Sequence, residues 1–173
     1  PESLTSIGQG AFGNCTALRS VSIPKNVTAI GDSAFSGCTS LTSIAIPEGV
    51  TAIGGFTFSS CTSLGTVKLP ATLTTIGGYA FYGCKQLNSA DLPAALTSIG
   101  SGAFSKCALK SVSISDTVTS IGGSAFSGCA SLASVTLGSS LTEIPAEAFY
   151  NCTALTSITI PEGVTTIGES AFA

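Results

Sequence analysis

Apolar positions along this chain follow two alternating rhythms. Ala34, Phe35, Cys38 and Leu41 fall at offsets of 0, 1, 4 and 7, one face of a short helical turn. A few residues later Ile44 and Ile46 alternate with Ser43 and Ala45, the period of a strand. Asp32 or Ser33 is placed to cap the turn, and Gly37 to keep it short. Pro47 ends the strand, because proline has no N–H to give to a ladder. Then both rhythms begin again.

The recurrence runs from end to end. Phe stands at 12, 35, 58, 81, 104, 126, 149 and 172, and Cys at 15, 38, 61, 84, 107, 129 and 152. Each step is 23 residues except one of 22, where "CAL" after Cys107 lacks a residue. Pro opens the copies at 1, 24, 47, 70, 93 and 161, with Ser115 and Gly138 standing in twice. Seven complete units and half of an eighth make residues 1–173 a single repeat array. The chain has no Met and starts and stops inside a repeat, so it reads as a segment of a longer protein. A unit this small cannot bury its own apolar face; stacking in register places each inward residue on its own copy above and below.

The residues Leu18-x-x-Val21-x-Ile23-Pro24 and Ile30-Gly31-x-x-Ala34-Phe35-x-x-Cys38 carry a resemblance to the leucine-rich repeats, in particular the 23-residue class of BspA-like and Treponema surface proteins. The resemblance covers essentially the whole chain. It implies a leucine-rich-repeat solenoid, a right-handed superhelix with a parallel β-sheet on its concave face. Short helical turns and short extended segments are expected on the other side. It also implies a cell-surface or secreted protein with an adhesive role. One departure is that no Asn or Cys follows the strand as a ladder; the Cys precedes the Leu.

Stacking would gather the cysteines into an interior column about 4.8 Å apart per rung. Their stacked side chains point the same way and their number is odd, which argues against disulfides. Cys-x-x-Cys spacing and His are both absent, which argues against a metal. Each Cys therefore reads as a small buried hydrophobe between Phe and Leu, giving seven free thiols that reagents reach only after unfolding.

Only 9% of residues are charged, and the net charge is −3 with a pI near 4.6, so the chain has no footprint for nucleic acid. No apolar run is long enough to span a membrane. All six cations lie at or before Lys110, and five of the nine acids lie beyond it. Without His, the Ser–His–Asp, Cys–His and His-zinc chemistries are out of reach. Glu143 and Glu147, near Pro145, are the one pair of acids close in sequence, and ordinary exposed acids are the plainer reading. The Gly-x-Gly runs at Gly8 and Gly100 follow from the repeat and lack the rest of a phosphate-binding fingerprint. The chain reads as a non-enzyme with no catalytic residue, cofactor or metal.

Outward positions of the strands read Ser20, Ser43, Thr66, Ser89, Ser111, Ser134 and Ser157, a hydroxyl column broken beside it by Lys68 and Asp91 in adjacent rungs. On the turn side Phe56 and Tyr79 share a column two residues before the core Phe, and Tyr82 lies just beyond Phe81. Phe56, Tyr79, Tyr82, Lys68 and Asp91 are thus the candidate partner-binding residues. Asn14, Asn26 and Asn151 lie in sequons, with Asn26 the best placed acceptor. The leading expectation is a surface or secreted module that contacts a protein, a host or matrix component. The alternatives are a self-associating structural element, such as a stalk, lattice or fibre, and a carbohydrate-binding surface.

Overall fold

The computed structural model describes all of residues 1–173. Each repeat makes one turn of a parallel β-solenoid. Its strands are short: β1 (Ser6–Ile7), β2 (Ala29–Ile30), β3 (Ser43–Ala45), β4 (Ala52–Ile53), β5 (Thr66–Lys68), β6 (Thr75–Ile76), β7 (Ser98–Ile99), β8 (Ser111–Ser113), β9 (Ser120–Ile121), β10 (Ser134–Thr136), β11 (Glu143–Ile144) and β12 (Thr166–Ile167). Pairing joins equivalent positions of successive repeats, as in Ser43↔Thr66 and Thr75↔Ser98. Ser98 pairs with Ser120, so the residue missing after Cys107 is absorbed without loss of register.

Two ladders result. The three-residue strands β3, β5, β8 and β10 bury their middle residue or hold it half-buried, and expose the flanking ones, as alternation requires. The longer ladder is the other one, β4–β6–β7–β9, built from the Thr-x-Ile segment. The three-residue ladder breaks at residues 89–91, where Ala90 replaces the β-branched Ile44, Val67 and Val112 of neighbouring rungs.

No helix forms, which corrects the expected short helical turns. In an α-helix every amide would bond four residues back. Here alternate amides do different things. Ala34, Ser36 and Cys38 donate three residues back, at 3.0–3.2 Å, while Ser33, Phe35 and Gly37 donate to Gly55, Thr57 and Ser59 of the next repeat at 2.8–2.9 Å. Two columns per repeat also hold left-handed backbone, one through Ser33, Phe56 and Tyr79, the other through Asn14, Gly37 and Ser60. A left-handed residue ends a helix. The 0, 1, 4, 7 spacing is satisfied by consecutive turns that bond across rungs. Of 87 backbone hydrogen bonds only 9 lie within strands, so these turn and cross-rung bonds hold most of the fold.

The core is a set of columns. Phe12 through Phe172 stack with ring centroids 5.0–5.6 Å apart and planes within 13° of parallel. Burying each inner ring contributes roughly 1.5–3 kcal/mol. Beside them six of the seven cysteines are buried, and Cys15, in the first rung, is exposed. The cysteines are more than fillers. Each buried thiol donates to the carbonyl of the Phe one repeat earlier, from Cys38 to Phe12 through Cys152 to Phe126, at 3.1–3.2 Å. Burial pushes the thiols of Cys129 and Cys152 up from the ordinary 9.0, to about 12 and about 11. The Ile-Gly step has a steric cause: a Cβ on Gly77 would come within 2.7 Å of the Gly54 carbonyl carbon. Threonines brace the rungs from outside, as when Thr74 and Thr97 hydroxyls donate to the carbonyls of Thr51 and Thr74 at 3.0 Å.

Candidate interaction surface

The three aromatic candidates meet on the turn side. Phe56 and Tyr79 stack with centroids 5.1 Å apart and planes at 9°, and Tyr82 meets Tyr79 edge-on at 5.9 Å and 66°. Phe56 is 48% exposed and Tyr79 39%. Both sit in left-handed backbone, with φ of 57° and 55°. Bulky side chains are rare there, and the equivalent position in other repeats holds Gly10, Ser33, Gly102, Ser124, Glu147 or Ser170, none of them aromatic. Gly102 completes the arrangement, because the Tyr79 ring lies over it, and a Cβ there would come within 2.6 Å of Tyr79 Cδ1.

Sequence reasoning missed Lys106. Its Nζ donates to the Tyr82 hydroxyl at 2.8 Å and lies 5.1 Å from the ring centroid. The signal was available: Lys106 occupies a left-handed column otherwise held by Asn, Gly and Ser, one repeat beyond Tyr82. Tyr150 is exposed at 37% and pairs with no other aromatic ring.

Lys68 and Asp91 do not belong to this cluster. Both are exposed on the strand side, and they line separate shallow concavities. Lys68 shares one with Lys25, Ala45 and Glu48; Asp91 shares the other, about 340 Å³, with Ser89, Ser111 and Ser113. Strand β5, which carries Lys68, pairs with β3, and the segment that carries Asp91 forms no strand in this ladder.

The acids brace the structure. Asp32 accepts from the Gly55 amide at 2.8 Å and Glu48 from the Ala71 amide at 2.9 Å. Asp116 accepts from both the amide and the hydroxyl of Ser139, which lowers its pKa. Glu147 takes the Ser124 hydroxyl at 2.9 Å, while Glu143 lies exposed in β11, so the pair near Pro145 is not assembled as a site. Asn26 is exposed, with its amide donating to the Glu2 carbonyl at 2.6 Å. No helix is long and apolar enough to cross a membrane.

The repeat geometry matches a known sequence profile over the whole chain: the BspA type leucine rich repeat region, in 6 copies, over residues 1–109 and 74–173. The chain belongs to the BspA-type leucine-rich repeat family. Solved structures of related bacterial proteins carry the same fold. A leucine-rich repeat protein of Bacteroides ovatus is 31% identical with a TM-score of 0.66, over 100% of this chain and 56% of that one. The Treponema pallidum leucine rich repeat protein is 34% identical with a TM-score of 0.79, over 87% and 71%. A leucine rich cell surface protein of Faecalibacterium prausnitzii is 31% identical with a TM-score of 0.51, over 100% and 69%. This BspA-type array thus spans little more than half of the Bacteroides ovatus chain. No functionally curated protein matches the sequence.

Proposed function

We propose that this BspA-type array is a non-enzymatic bacterial surface or secreted module that contacts a protein partner through the turn-side face bearing Phe56, Tyr79 and Tyr82. One observation carries the reading. Two large aromatic residues occupy left-handed backbone that costs about 1–2 kcal/mol per non-glycine residue, and they remain substantially exposed. Half-burial and mutual stacking offset part of that cost, and contact with a partner would use the area that remains, because exposed Tyr and Phe in a cluster are the side chains on which interfaces anchor. The name of the Faecalibacterium prausnitzii relative, a cell surface protein, supports the location. The strand face is a weaker candidate, since its outward columns hold Ser, Thr, Lys68 and Asp91 and no aromatic anchor.

The test is adhesion of beads coated with the protein to host epithelial cells and to immobilised matrix proteins. The double variant Phe56→Ser, Tyr79→Ser adopts the serine of neighbouring rungs and keeps the fold. It loses adhesion if the reading is right. Equal adhesion by both proteins, with loss on Lys68→Ser, moves the contact to the strand face.

A further inference from the structure

Resting on the aromatic face just described, we propose that its partner is an acidic protein segment, received by Lys106 and Tyr82 at one end of the aromatic stack. The Tyr82 oxygen accepts from the Lys106 ammonium at 2.8 Å, which leaves the Tyr82 O–H free to donate outward. An ammonium has three donors, so Lys106 keeps further N–H bonds for another acceptor. Two donors side by side suit the two oxygens of a carboxylate. Lys85, exposed three residues after Tyr82, adds a second cation to the same repeat.

The surroundings agree. The acids of this face, Asp32, Glu147 and Glu169, lie outside the stack, and the first two are engaged with the Gly55 amide and the Ser124 hydroxyl. All six cations of the chain lie at or before Lys110, and five of its nine acids lie beyond. An acidic partner is therefore attracted to the middle repeats and repelled from the last ones, which fixes where along the array it docks. The central ring, Tyr79, disfavours a glycan. Sugars lie on aromatic faces, but one face of Tyr79 is covered by Phe56 and the other lies over Gly102. The exposed ring edges carry positive potential, and carboxylates with short aliphatic stems pack against such edges.

The chain's three tyrosines make the experiment self-controlled: Tyr79 and Tyr82 are in the site, and Tyr150 is outside it. Carbon-13 tyrosine-labelled protein is titrated by NMR with a short synthetic peptide of alternating Glu and Leu, with its Gln counterpart, and with an oligogalacturonate. The expected result is that the Glu peptide shifts Tyr79 and Tyr82 but not Tyr150, and that salt weakens the effect. Lys106→Asn, the residue found at the equivalent Asn14 and Asn151, should keep the fold and weaken binding about tenfold. Equal shifts with the Gln peptide would leave the aromatic face as the site and overturn the acidic partner. Shifts with the oligogalacturonate alone would replace the protein segment with an acidic glycan. No shift with any probe would overturn this proposal, while the bead assay still judges the aromatic face.

Discussion

Raising the pH should unfold this protein through its cysteine column. A buried thiol that ionises must leave an anion between a Phe ring and a carbonyl that repels it, so the folded state holds the proton longer than the unfolded one. Cys61 is held well above the ordinary 9.0 by burial and neighbouring cysteines, Cys107 by its hydrogen bond with Cys84 and by burial, and Cys129 is pushed by burial to about 12. The folded pKa exceeds the unfolded one, so the folded chain binds more protons and stability falls as pH rises. The contribution is complete below about pH 9 and drains away between there and the folded values. Each such thiol costs about 1.4 kcal/mol per pH unit in that window, and these three together roughly 4 kcal/mol. Between pH 9 and 10.5 the loss reaches about 6 kcal/mol, comparable with the whole stability of an ordinary domain. The assay is urea unfolding followed by circular dichroism at stepped pH. The triple variant Cys61→Ser, Cys107→Ser, Cys129→Ser should start less stable yet decline less steeply, because a hydroxyl does not titrate there. Equal slopes for the two proteins would refute the reasoning.

Two further outcomes follow from the columns. Phe81→Ala removes a fully buried ring between two stacked neighbours and should cost about 4–5 kcal/mol, whereas Phe172→Ala, 38% exposed with one neighbour, should cost about 1 kcal/mol; chemical denaturation of both measures the ratio. Thiol labelling of the folded protein, read by intact mass, should add one label rapidly at exposed Cys15 and six more only after denaturation.

Much of the architecture was legible because a repeat reports its own register. The columns of Phe, Cys and Pro placed every rung, and the single short step after Cys107 was visible as a missing residue. Two things were not legible. The offsets of Ala34, Phe35, Cys38 and Leu41 fit a helix as well as a chain of turns, and only the availability of cross-rung acceptors such as Thr57 and Ser59 decides between them. The cysteine looked like a filler because sequence shows its size and not the Phe carbonyl it meets. At the surface, Phe56, Tyr79 and Tyr82 were readable as neighbours from their column positions. Lys106 escaped notice because a lone Lys in a column of Asn, Gly and Ser resembles drift.

Photo-crosslinking on intact cells of the source organism tests the central claim most directly. A benzoylphenylalanine placed at Tyr79 in the full-length protein should crosslink to a partner protein, and the same group at Lys68 should not. Crosslinking from Lys68 with none from Tyr79 would contradict the account and return the binding face to the strands.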